Sequence, residues 1–222
     1  MSIDYRQFEL IKSMCFEKGV TLVAVSKTKP VSDILQLYQA GHQDFGENYV
    51  QELVEKHSQL PAEIRWHFIG HLQTNKVKYI APFVHLIHGV DSLKLLKEIN
   101  KQAAKNDRLI DVLLQIHIAQ EETKFGLDAN ELNELLQHPE LPSLKNVCIR
   151  GLMGMASFSE DMDLVQKEFI YLKSLFDHAC QQPTVNCKLQ ILSMGMSSDY
   201  QLAIEEGSTM VRIGSLLFGA RG

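Results

Sequence analysis

A single α/β domain closed into a (β/α)8 barrel of the TIM type is the fold class this sequence predicts. Three observations carry it. Eight short apolar runs alternate with stretches of helical periodicity along 222 residues. Several of the runs are near-continuous in Val, Ile and Leu, as parallel strands covered by helices require. The length also suits one such barrel, with residues 1–222 read as one domain because no linker, low-complexity tract or composition shift divides them. An open doubly wound sheet shares the alternation, since patterning does not fix closure.

The strands are expected at 20–26 (VTLVAVS), 42–46 (HQDFG), 65–70 (RWHFIG) and 84–89 (VHLIHG). The second half continues with 111–118 (DVLLQIHI), 147–153 (VCIRGLM), 189–194 (LQILSM) and 209–214 (TMVRIG). Helical spacing fills the intervals. SDILQLYQAG offers Ser32 as a cap, puts Ile34, Leu35 and Tyr38 on one face and stops at Gly41. DANELNELLQHP starts from Asp128 as N-cap and ends before Pro139. DMDLVQKEFIYLKSLFDHAC repeats Leu164, Val165, Phe169, Leu172 and Leu175 along one long amphipathic helix.

Composition narrows the function classes. Hydrophobic residues make up 45% of the chain, an ordinary globular value. A net charge of −5 argues against a general nucleic-acid binder, which needs a basic face. No apolar stretch approaches the ~20 residues of a membrane span. The opening MSIDYRQFELIKSM has helical spacing and no signal-peptide core, so a cytoplasmic protein is expected. Cys15, Cys148, Cys180 and Cys187 show no C-x-x-C pair and read as reduced packing residues rather than zinc ligands.

Chemistry should gather where the strands end, the rim that carries it in such barrels. Lys27 follows the first strand, and an amine there can hold a carbonyl cofactor as an imine. A solvated loop lysine is the plain alternative, and Lys29 and Lys124 compete on the same rim. The apolar strand before Lys27 and Pro30 after it favour Lys27. The loops Ser193–Ser198 and Arg212–Ser215 gather small residues whose backbone N–H groups can approach a phosphate. The last two strands neighbour the first in a closed barrel. An amine and an anion site side by side suggest a phosphorylated aldehyde, with pyridoxal 5′-phosphate the candidate.

Arg212 lies within an apolar strand, where an unpaired guanidinium is costly. A structural ion pair with Glu47 and a cofactor contact stand equally open. The fourth strand offers His88 and Asp91 to the rim. His67, His85 and His117 alternate with strand apolar residues and read as packed or hydrogen-bonded histidines. Met153, Met155, Met194 and Met196 read first as core, second as cavity lining.

The segments VAVSKTKP, FGENYVQE, WHFIGHLQTNK, GLMGMA, SMGMSSDYQLAI and GSTMVRIGSLLFGAR resemble the pyridoxal phosphate homeostasis protein family, related to the N-terminal barrel domain of alanine racemase. Motifs this long, in this order, cover nearly the whole chain and are highly specific. The resemblance implies a barrel carrying pyridoxal 5′-phosphate on Lys27. It implies phosphate contacts at Ser197, Gly214 and Ser215, and Arg212 facing the pyridine nitrogen. Asn48 then matches a pocket residue, and Met155 stands beside the ring where the racemases use a histidine. The racemases employ a second base from a further domain. This sequence ends directly after its eighth strand, so two-base racemisation is not expected. The implied role is a non-enzymatic carrier in vitamin B6 and amino-acid balance, acting as a monomer and yielding cofactor to apo-enzymes. A small racemase or lyase with Lys27 as sole base, and a barrel for another phosphorylated metabolite, are the competing readings.

Overall fold

The computed structural model describes residues 3–120, 125–182 and 186–219. Helix α1 (Tyr5–Glu17) precedes β1 (Thr21–Val25), and strands and helices then alternate. They run α2 (Val31–Gln39), β2 (Asp44–Glu47), α3 (Val50–Gln59), β3 (Arg65–Phe68), α4 (Val77–Ile80) and β4 (Leu86–Val90). The second half continues α5 (Leu93–Lys105), β5 (Ile110–Ile116), α6 (Ala129–Leu136), β6 (Val147–Gly154) and α7 (Met162–Cys180). It closes with β7 (Cys187–Ser193), α8 (Tyr200–Glu205), β8 (Met210–Ile213) and α9 (Ser215–Phe218).

The strands form a closed barrel in sequence order. Closure is made by β8 lying parallel to β1, in register from Thr21 opposite Met210 to Ala24 opposite Ile213. That ladder removes the open-sheet alternative. Every expected strand is present, with shifts of up to a few residues. The second begins at Asp44 rather than 42 because its ladder to β3 starts there, Asp44 opposite Arg65.

One expected cap is present and one is not. Asp128 accepts hydrogen bonds from the Asn130 and Glu131 N–H groups, and the Glu131 carboxylate in turn accepts one from the Asp128 N–H. Asp161, not among the expected caps, caps α7 by accepting from the Asp163 and Leu164 N–H groups. The Ser32 cap is a correction: α2 starts at Val31, its N-cap is Pro30, and no side chain caps it. Proline has its φ preset near the helical value, so the helix begins two residues early and Ser32 falls inside it.

Apolar burial falls into two shells. The larger lies between strands and helices and includes Phe8, Ile34, Leu53, Trp66, Ile99 and Phe169. Each such side chain contributes roughly 1.5–3 kcal/mol through removal from water. The smaller fills the barrel itself and consists of Val23, Leu86, Leu113, Met153 and Met210. Residues two apart on a strand share a face. One step along from that plug, the same faces therefore carry Val25, His88, Gln115, Met155 and Arg212, four of the five able to make polar or soft contacts. The interior turns polar toward the rim. Among the described residues no helix is long and apolar enough to cross a membrane.

Candidate functional site

At the upper rim a cavity of about 370 Å³ opens among the ends of β1, β2, β6, β7 and β8. All seven residues expected from the sequence line it: Lys27, Asn48, Met155, Ser197, Arg212, Gly214 and Ser215. Val25, Ile69, Met196 and Phe158 supply apolar wall. The volume lies in the range of small-ligand sites.

Lys27 reaches the cavity because Val23, Val25 and Lys27 share one strand face. Its neighbours are tied down from beneath. The Lys56 ammonium, from α3, donates to the Ser26 carbonyl, to Glu47 Oε1 and to Glu52 Oε1, each at 2.7 Å. Ser26 Oγ donates to Glu47 Oε1 at 2.6 Å, and the Thr28 N–H donates to Glu52 Oε1 at 2.6 Å. Thr28 is held at φ 63°, in the left-handed region a β-branched residue avoids. Lys56 and Glu47 are both buried. Burial pushes the Glu47 carboxyl up, and Lys56 opposes that rise. The residues on each side of Lys27 are thus clamped by one buried charge cluster.

Lys29 also lines the cavity, but its amine donates to the carbonyls of Phe218 at 2.9 Å and Gly219 at 3.3 Å. Lys124 lies outside the described residues, as do Glu121, Glu122 and Thr123. Lys27 is the amine whose neighbours the fold fixes.

The opposite wall is built by the two last loops. Gly195 takes φ 96°, and a Cβ there would meet the Ala203 Cβ at 2.5 Å, so only glycine makes this bend. The Met196 N–H donates to Asp199 Oδ1 at 2.6 Å, which shapes the loop beyond it. Ser197 Oγ accepts from the Gly214 N–H at 3.3 Å, joining this loop to the one after β8. Asn48 contributes a buried acceptor, Oδ1, with no hydrogen-bond partner. An amine, an amide and a serine–glycine cup are groups that a polar, phosphorylated carbonyl compound calls for.

Arg212 is not paired with Glu47. This is a correction: Glu47 is engaged by Lys56 and Ser26, while Arg212 donates to Ser193 Oγ at 2.6 Å and to the Gly154 carbonyl at 3.0 Å. Burial lowers its pKa to about 10, with Asp199 acting against the fall, so it stays cationic at neutral pH. The methionines divide by position: Met153 and Met194 are core, Met155 and Met196 line the cavity. His88 is not on the rim. It is fully buried inside the barrel, 3.0 Å from His67.

Lys56 and Glu52 are not singled out by the sequence, which sets His88 and Ser193 at the rim rather than in the barrel interior where they lie. Lys56 had a signal, its i,i+4 spacing from Glu52, but that pattern usually marks a solvated helix face. Among the described residues no group of three or more His, Cys, Asp or Glu side chains could hold a metal ion.

Residues 5–222 match the family model described as alanine racemase, N-terminal domain. The pyridoxal phosphate homeostasis protein of Pasteurella multocida is 42% identical over 208 residues, covering 92% of this chain and 88% of that protein. That of Aquifex aeolicus is 43% identical over 223 residues, covering 97% and 96%. Among solved structures, PipY of Synechococcus elongatus PCC7942 with PLP bound superposes with a TM-score of 0.86 at 35% identity. That match covers 96% of this chain and 99% of PipY.

Proposed function

Since the chain belongs to the pyridoxal phosphate homeostasis protein family, whose barrel is the alanine racemase N-terminal domain, we propose that it binds pyridoxal 5′-phosphate in the rim cavity and carries it reversibly. The carrying observation is the convergence of Lys27, Asn48, Arg212 and the Ser197–Gly214–Ser215 cup on one cavity of about 370 Å³. The cofactor supplies an aldehyde that condenses with an amine, with loss of water, and the reaction runs backward as readily.

Each residue has a role that follows from its setting. Lys27 provides the amine, aimed by the clamp on Ser26 and Thr28. Ser197, Gly214 and Ser215 offer a hydroxyl-and-amide cup to the phosphate. Asn48 Oδ1 accepts from a ligand donor. Met155 packs against the ligand's flank. Arg212, a cation that can only donate hydrogen bonds, would occupy the lone pair of a facing ring nitrogen, keeping it unprotonated and so a weak electron sink.

The acid–base groups at the cavity support carriage over catalysis. Racemisation at an amino-acid carbon calls for acid–base groups on both faces. The described residues lining the cavity include Lys27 and Lys29 as amines and no Tyr, His, Cys, Asp or Glu. The same reading makes the protein a cytoplasmic monomer that passes cofactor to apo-enzymes.

The test is transfer. Loaded protein mixed with an apo-enzyme should activate it faster than cofactor leaks into a trapping amine. Equal rates would reduce the role to buffering. Exchange of an amino acid's α-proton for deuterium at enzymatic rates would establish catalysis and overturn the carrier assignment.

A further inference from the structure

The polar groups inside the barrel form one continuous line. Arg212 Nη1, on β8, donates to Ser193 Oγ on β7 at 2.6 Å. Ser193 Oγ lies 3.4 Å from His88 Nδ1 on β4, across the lumen. His88 Nε2 lies 3.0 Å from His67 Nδ1 on β3, and His67 Nε2 lies 3.0 Å from Asp44 Oδ1 on β2. Arg65 closes the lower end, its Nε and Nη2 donating to Asp44 at 2.7 and 2.5 Å. His67, His88, Ser193, Arg212 and Asp44 are all buried. Barrel interiors are ordinarily filled by branched aliphatic layers, and buried polar groups are costly unless satisfied. Such a line needs a reason.

Its ends fix its direction. A guanidinium can only donate, and an ionised carboxylate can only accept. Burial would raise the Asp44 carboxyl, but the Arg65 and His67 hydrogen bonds outweigh that and hold it well below the usual carboxylate range. His67 Nε2 must therefore carry hydrogen toward Asp44. With His67 neutral, its Nδ1 accepts from His88 Nε2–H, and His88 Nδ1 accepts the Ser193 hydroxyl. The Ser193 oxygen is then left open to Arg212. Reversing the line would require a cationic His67 between Arg65, His85, His88 and Arg212, with only Asp44 to balance it. Burial, with the Arg212 cation adding to it, pushes His88 well below the ordinary histidine value, in keeping with a neutral ring.

We propose that Ser193, His88 and His67 are positioning residues forming a one-way hydrogen-bond relay from Arg212 to Asp44, which locks the Arg212 guanidinium in the wall of the rim cavity and so sets the environment of the cofactor ring. The relay ties the cofactor wall to the Asp44–Arg65 pair at the far end of the barrel. Its bearing on the cofactor rests on the proposed function; its direction does not. Two of five guanidinium donors are fixed by Ser193 and Gly154, which leaves the group one orientation to present to a ligand.

Nitrogen-15 spectra of the imidazoles, taken on the wild-type protein at pH 7 without cofactor, read the direction. Both His67 and His88 should be neutral with hydrogen on Nε2. A cationic ring, or hydrogen on Nδ1 of either, overturns the relay. The coupling is read with Ser193→Ala, which keeps both rings. Removing an acceptor from a charged donor should weaken pyridoxal 5′-phosphate binding about ten- to hundredfold. It should also displace the visible absorption band, while the Asp44 end still holds hydrogen on His88 Nε2. A purely structural role would lower thermal stability while leaving the band in place, and that result overturns the coupling. His88→Leu cuts the line at its middle and should move the band in the same sense. If the wild-type rings match and no cofactor binds, the proposed function fails and the coupling fails with it, while the relay's direction stands.

Discussion

Replacing Lys56 by methionine tests how the fold aims Lys27. The substitution keeps length and apolar volume and removes one ammonium. Three hydrogen bonds of 2.7 Å go with it. Glu47, fully buried, keeps only the Ser26 hydroxyl on Oε1, and its Oε2 already has no partner. Removing one member of a buried ion pair costs about 3–5 kcal/mol. For a chain of this size that lowers Tm by roughly 6–20 °C. Glu47 already has its pKa raised by burial, against Lys56, and losing Lys56 raises it further. A carboxyl with raised folded pKa destabilises once pH rises above the unfolded value of about 4.3. The deficit of Lys56→Met should therefore shrink on acidification and grow toward neutral pH. Pairing it with Glu47→Gln, which removes the stranded charge, should recover most of the loss. Urea unfolding at several pH values measures all three, and borohydride-fixed cofactor at Lys27 measures the aim. A loss below 1 kcal/mol at pH 7, or unchanged fixation in a folded variant, would refute the clamp.

Other expectations follow from single residues. Burial pushes His42 down to about 4, against the pull of Asp44, so its folded pKa lies below the unfolded value of about 6.5. Its stabilisation is present above pH 6.5 and is lost between 6.5 and 4, roughly 3 kcal/mol in all at 1.36 kcal/mol per pH unit. His42→Asn should flatten that limb of a stability–pH curve, and an unaltered limb would contradict the assignment. Gly195→Ala should cost roughly 2–5 kcal/mol from its positive φ and the Ala203 clash, with weaker cofactor retention; a neutral result in urea unfolding would show the bend tolerates a Cβ. Asp128→Ala loses the α6 capping box and should cost about 1 kcal/mol without touching cofactor binding. A change in retention would tie α6 to the rim.

Much of the barrel was legible because its strands are covered on both faces and so read as apolar runs, LVAV and DVLLQI among them. The rim residues were legible for a related reason: the strand period carries Val23 and Val25 to Lys27, and Met210 to Arg212 and Gly214. Partner identity was not. Glu47 and Arg212 both sat at strand ends with opposite charge, and only the fold showed Lys56 reaching Glu47 from α3. Nor does local sequence reveal that His88 and Ser193 meet across the lumen, since 105 residues separate them. The Ser32 cap failed on a local competition, a proline two residues earlier that starts the helix first.

Covalent mapping addresses the central claim most directly. Protein loaded with pyridoxal 5′-phosphate, reduced with borohydride and digested should carry the pyridoxyl phosphate mass on the peptide containing Lys27, and Lys27→Ala should abolish it. A label on Lys29 or Lys124 instead, or no label at saturating cofactor, would contradict the account.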